Sequence, residues 1–182
     1  MAIQTGTYEL GPQDGQLAIR TGKGGAASKA GHNLLIAVGR WGATVTFAED
    51  LAQSVLELTV DSTSFEVLDG TGGMKSLDDG DKAGIAQTIN QEVLKGTPIS
   101  FRSTAVRSDG DDRLHVTGDL ELFNGINPVA FDLVITGDGR LTGSTTLKQT
   151  GWGMKPYSAL FGTLKVADEV GVEIDAALRP AE

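Results

Sequence analysis

The chain has 182 residues, 40% of them apolar, with 25 glycines, no cysteine and a formal net charge of −9. Clustered Lys and Arg that could hold a phosphate backbone are missing, which excludes nucleic acid and docking on anionic membranes, and the lack of Cys excludes disulfides, thiol catalysis and thiolate metal sites. So much glycine with only 5% aromatics suits an all-β domain, taken as one unit over 1–182, better than a helical bundle.

Met1 to Gly6 carries no charged segment followed by an apolar one, and no apolar run approaches the roughly 18 residues that span a bilayer. The expectation is a cytoplasmic protein without stable membrane insertion, periplasmic or secreted if a leader has been trimmed. Thr5 to Leu10 reads as a first strand, turned at Gly11, Pro12, Asp14 and Gly15 into Leu17 and Ile19 as a hairpin. Gly22 to Ala27 is glycine-rich, but the residues after it are strand-like, so the loop lacks the strand-to-helix setting of a dinucleotide site.

His32 opens the next strand, with Leu34, Ile36 and Val38 on one face, followed by Trp41, Ala43, Val45 and Phe47. Leu56, Leu58 and Val60 alternate with Glu57, Thr59 and Asp61, and Phe65, Val67 and Leu68 lead into a loop over 69–80. Asp81 to Lys95 breaks the pattern: Ile85, Ile89 and Val93 recur every fourth residue, and Gly96 and Pro98 end the segment. This is one amphipathic helix, its narrow stripe set against the sheet or over an open end, and with the loop before it the helix is expected to flank a ligand entrance.

Ile99, Phe101, Ser103 and Ala105 share the inner face of the next strand. Leu114, Val116, Gly118, Leu120 and Leu122 then face Val129, Phe131, Leu133 and Ile135 across an Asn124-Gly125 turn, and Leu141, Gly143, Thr145 and Leu147 precede a last strand carrying Val170, Val172, Ile174, Ala176 and Leu178. Closing about eight such strands removes exposed edges, so the expected fold is a closed antiparallel lipocalin-like β-barrel with one helix in a long connection. Gly118, Gly143, Ala43, Ala105, Ser103 and Thr145 would leave room inside. The apolar residues expected to contact a ligand there are Leu34, Ile36, Val38, Trp41, Val45, Phe47, Leu58, Phe101, Leu120, Phe131, Leu133, Leu147 and Trp152.

No catalytic motif or cofactor loop occurs. The acidic clusters at 78–81 and 109–112 have Ile89 and Leu120 where a calcium loop needs its last Glu, so they read as turns and a helix cap. His115 lies on a wet strand face. His32 could orient a headgroup, or act with a carboxylate in an enzyme on the same barrel; a filled barrel serving as an interaction module is a third reading.

Several stretches carry a family likeness in their order: Tyr8-Glu9-Leu10-Gly11-Pro12; Ala30-Gly31-His32-Asn33-Leu34, then Arg40-Trp41-Gly42-Ala43-Thr44-Val45; and the helix Lys82 to Leu94 running into Pro98-Ile99-Ser100-Phe101. They continue with Val116 to Leu122, Asn124-Gly125 and Pro128-Val129, then Leu147 to Pro156, similar to a Thr-x-Phe-Gly-Ile-Lys-Pro segment, and Val166 to Val170. Together these resemble the YceI-like proteins, lipocalin-like bacterial barrels that bind polyisoprenoids and related amphiphiles. The resemblance implies a hydrophobic channel, often a homodimer, and non-enzymatic carriage or sequestration of a polyprenyl or quinone-type lipid. Trp152 departs from it, standing where a smaller aromatic is usual, and no signal peptide is seen although some members are exported.

Overall fold

The structure, a computed structural model, describes residues 4–159 and 164–179. Residues 1–3, with which a leader was expected to be absent, lie outside it. In chain order the elements are β1 (Gly6–Leu10), β2 (Gly15–Gly24), β3 (His32–Val38), β4 (Trp41–Phe47), β5 (Val55–Val60), β6 (Phe65–Gly72), α1 (Asp79–Thr88) with a π-helical extension Ile89–Val93, and β7 (Ile99–Ser108). Then come β8 (Arg113–Leu122), β9 (Gly125–Ile135), β10 (Arg140–Lys148), the short β11 (Ser158–Ala159) and β12 (Leu164–Ala177).

All strands join one curled antiparallel sheet in the order β1-β4-β5-β7-β8-β9-β10-β12-β2-β3-β6, with β11 on β12. The expected ring of about eight strands is therefore met at the coarser level only, since among the described residues this path ends on two edges, β1 and β6. The expected first hairpin does not form: β1 pairs β4, whereas β2 pairs β3 and β12. The registers give the reason. From Leu10↔Ala43 to Ala18↔Ala37 both strands run on in their own directions, so Gly11 to Asp14 bulges out of a continuing path instead of reversing it.

β3 and β4 are likewise successive parts of one path, and so are β5 and β6. Trp41 pairs Val60 and Val38 pairs Phe65, so both paths bend at Gly39-Arg40 and at 61–64. A polar knot holds this bend. Gly39 N–H donates to Ser64 O at 2.7 Å, Arg40 N–H to Ser64 Oγ at 2.9 Å, and the Arg40 guanidinium meets Asp61 at 2.7 Å. The Thr63 hydroxyl, followed by the Thr63 amide and Arg40, holds the Asp61 carboxyl down at about 2.

A depressed folded pKa contributes stability above the carboxyl's ordinary value of 3.8, and that contribution is lost as the pH falls toward 2. Asp61→Asn is accordingly expected to flatten the fall of stability between about pH 4 and pH 2, removing about one of the protons taken up on acid unfolding. Urea denaturation across this range checks it, and an unchanged slope would contradict the role given to Asp61.

Alternation places Leu114, Val116 and Leu141 at 2% exposure or less in the core, with Phe47 at 2% packed edge-on to Tyr8 at 5.7 Å. A register shift between Ser103 and Ala105 reverses the parity of β7, so Ala105 turns outward and Val106 takes the inner place at 1% exposure. The helix starts at Asp79, two residues before its expected first residue, because Asp78 caps it: the Asp81 amide donates to Asp78 Oδ1 at 2.8 Å and the Asp78 amide to Asp81 Oδ2 at 3.2 Å. No residue of α1 is fully buried, as its narrow stripe foretold. Just past it, the Asn90 side-chain amide pairs with both backbone groups of Phe65, donating to its O and accepting from its N–H at 3.2 Å, and so clips the helical segment to the free edge of β6.

Candidate functional site

The curl of the sheet encloses a cavity of about 720 Å³. That lies inside the roughly 300–1,000 Å³ usual for small-molecule sites. Its wall is assembled by strand alternation, because every second residue of each strand points inward. Of the residues expected to contact a ligand, Leu34, Ile36, Val38, Val45, Leu58, Phe101, Leu120, Phe131, Leu133 and Leu147 line it.

Trp41, Phe47 and Trp152 do not. Each is buried outside the cavity, for separate reasons. Trp41 sits beside the bend, and its buried Nε1 has no hydrogen-bond partner. Phe47 packs on Tyr8, and Trp152 donates its indole N–H to Leu120 O at 2.9 Å from the turn after β10. The aromatic that is larger than usual at its place is thus held by a backbone carbonyl of the cavity's own strand and does not line the cavity.

Small residues do not simply leave space. A Cβ on Gly118 would lie 2.5 Å from the Phe101 ring, and one on Gly143 would lie 2.5 Å from Leu133, so both gaps are filled by neighbours. Phe101 leans over Gly118 toward Phe131, with ring centres 5.3 Å apart. The open volume is bounded by Ala43, Val60, Ile99 and the β12 row Val170, Val172 and Ile174, and by Ile85, Ile89 and Val93 from the helical segment. The fourth-residue stripe of that helix, expected against the sheet or over an open end, forms a length of cavity wall.

Polar residues border the cavity in mid-strand, as Glu57, Ser144 and Thr145 do, and also at element ends. Thr21 near the end of β2, His32 at the start of β3 and Asp81 in the first turn of α1 all border the cavity. His32 Nε2 lies 2.7 Å from Lys75 O, and Lys75 Nζ is 3.1 Å from Asp81 Oδ2. The ring lies against Gly73, whose φ of +74° favours glycine and where a Cβ would stand 2.3 Å from His32 Nε2. The strand β6 runs to Gly72, which shortens the loop expected over 69–80 to the segment that carries Gly73 and Lys75.

The Lys75 ammonium, with the Asp78 amide, keeps the Asp81 carboxyl below its ordinary value, while Asp81 raises Lys75. His32 and Asp81 are not hydrogen-bonded to each other; each is engaged through Lys75. The other histidine, His115, is half-exposed on the outer face, its Nδ1 2.8 Å from Asp132 Oδ1. Ser144 pairs with Asp132 from the opposite strand, and among the described residues no hydrogen bond joins its hydroxyl to Asp132 or His115. Among the described residues no group of His and carboxylates is gathered to hold a metal ion, and no helix is long and apolar enough to cross a membrane.

The YceI-like domain family matches residues 25–178. A UPF0312 protein from one strain of Pseudomonas putida is 33% identical over 98 residues, covering 49% of this chain and 50% of that protein, and one from a second strain is 32% identical with the same coverage. The chain therefore spans about half the length of the curated relatives it matches. Among solved structures, BcnA of Burkholderia cenocepacia is similar at a TM-score of 0.66 and 20% identity over 88% of this chain and 94% of that one. The YceI protein of Campylobacter jejuni is similar at 0.52 and 12% identity over 78% and 82%, a likeness of fold alone.

Proposed function

The chain belongs to the YceI-like family, and from this premise we propose that it binds and carries, without chemistry, an amphiphile whose long prenyl or acyl chain lies in the cavity, of polyprenyl or quinone type. The observation that carries this reading is the cavity itself: about 720 Å³ walled by aliphatic and phenyl side chains from nearly every strand, with Thr21, His32 and Asp81 bordering it. The separation of His32 from Asp81 by Lys75 supports a binding role over an acid–base pair. The pairings also favour a closed barrel. Counting β1 with β2, β3 with β4 and β5 with β6 as bent single strands, and setting the short β11 aside, leaves eight, and the β12–β2 and β5–β7 pairs are the ones such a ring would need.

Affinity is expected to rise with chain length. Each buried methylene contributes ~0.8 kcal/mol gross, up to about fourfold in the dissociation constant. Fluorescence displacement with a series of prenyl alcohols of increasing length checks this, together with mass spectrometry of lipid extracted from the purified protein. A flat dependence on length, with no lipid recovered, would overturn the reading.

A further inference from the structure

We infer that the end of the cavity bordered by Thr21, His32 and Asp81 selects an uncharged hydroxyl headgroup and rejects a phosphorylated one. This deepens the proposed function and rests on it. A carbonyl only accepts hydrogen bonds, so at 2.7 Å from Lys75 O the hydrogen of His32 is on Nε2, and in the neutral ring Nδ1 remains an acceptor. That nitrogen has no hydrogen bond among the described residues. Asp81, held ionised beside Lys75, is a second acceptor bordering the same space. The Thr21 hydroxyl accepts from the Leu34 amide at 3.2 Å and keeps its own hydrogen to donate. Two acceptors and one donor match an alcohol, which gives one hydrogen bond and takes another.

The groups that would hold a phosphate are already engaged. The Lys75 ammonium is neutralised by Asp81 at 3.1 Å, and the first turn of α1, where an anion would otherwise seat, is closed by the reciprocal Asp78 and Asp81 cap. A phosphate placed here would meet the Asp81 carboxylate, while the other ammonium at this end, that of Lys23, donates to Gly31 O at 3.0 Å, and the whole chain adds a net charge of −9. An unpaired like charge in a partly enclosed site is the more costly for being poorly screened.

The test compares geranylgeraniol, its methyl ether and its monophosphate, by competition against one fluorescent probe at low salt, in the wild-type, His32→Phe and Asp81→Asn proteins. The alcohol is expected to bind about fivefold tighter than the ether, which cannot donate, the ratio that one net hydrogen bond gives. It should bind about tenfold or more tighter than the monophosphate. His32→Phe should bring alcohol and ether together, and Asp81→Asn should narrow the gap between alcohol and monophosphate. Each ratio is read within one protein, so a variant that has lost some stability still decides. Equal binding of alcohol and ether, monophosphate binding as tight as the alcohol, or ratios unmoved by either substitution would overturn the inference. If the three bind alike but with a clear dependence on chain length, only the headgroup assignment falls; if none binds, the carrier reading falls with it.

Discussion

Gly118→Val is expected to destabilise the protein by about 3 kcal/mol or more, at the upper end of what overpacking a filled core costs. A Cβ at this position would stand 2.4 Å from the Arg102 carbonyl oxygen and 2.5 Å from the Phe101 ring. The ring can turn aside at the expense of its contact with Phe131, but the carbonyl belongs to the ladder between β7 and β8, where Ser103 pairs with Gly118, and cannot yield without breaking pairing. Adding Phe101→Leu to the valine variant should restore only part of the loss, since it relieves the ring and leaves the carbonyl. Urea denaturation of the two variants measures both terms. A valine variant within about 1 kcal/mol of wild type would mean that the strands are packed more loosely here than these distances state.

Phe131→Trp and Leu120→Trp should do the reverse, costing binding and sparing stability. Both side chains line the cavity from the β8–β9 hairpin, though not opposite one another: Phe131 pairs across with Val116, and Leu120 with Asn127. An indole in either place enlarges into open volume, so its stability cost is expected below the ~1–3 kcal/mol of a filled core. The bound chain, in contrast, would have to give up the space of several methylenes at ~0.8 kcal/mol each, a loss of roughly tenfold to a hundredfold in affinity. Denaturation and lipid loading measured on the same preparations decide between channel and core. Strong destabilisation with loading unchanged would remove this hairpin from the channel.

Much of the wall was legible because the period of two is local: whichever way a strand runs, Leu34, Ile36 and Val38 share a face, and so do Val129, Phe131 and Leu133. What broke the reading were single residues inserted into that period. The shift after Ser103 exchanged Ala105 for Val106, and the hairpin after Leu122 turns on Phe123-Asn124, with Phe123 at φ 56°, so that Gly125 opens β9 instead of lying in the turn. Nothing in the composition of those segments signals where the extra residue goes. The bends at 11–14 and 61–64 have the turn-forming residues of hairpins, and only the partner across the ladder tells a kink from a reversal.

For the site, aromatic size was the misleading signal. Trp41, Phe47 and Trp152 are large and on apolar faces, but a large ring is as useful bracing a wall as lining it, and the choice depends on which strand ends where. The headgroup end was readable only as an isolated histidine, since Lys75 and Asp81 reach it from a connection whose course no periodicity fixes. Asp81 was visible as an acid near a helix start, and the reciprocal cap with Asp78 gives it that position.

The strand β2 lies between β3, which comes soon after it in the chain, and β12, which pairs Ala176 with Gly15. On a ribosome, then, one flank of β2 is satisfied early, while the other waits until β12 has been synthesised. During that interval the nascent chain exposes the inward row Leu17 and Ile19 beside an unpaired ladder, the condition under which newly made chains associate with one another. Synthesis of β12, rather than completion of the helix or of the middle hairpins, is the event that lets the seam form, and a truncation removing β12 leaves β2 as an adhesive edge.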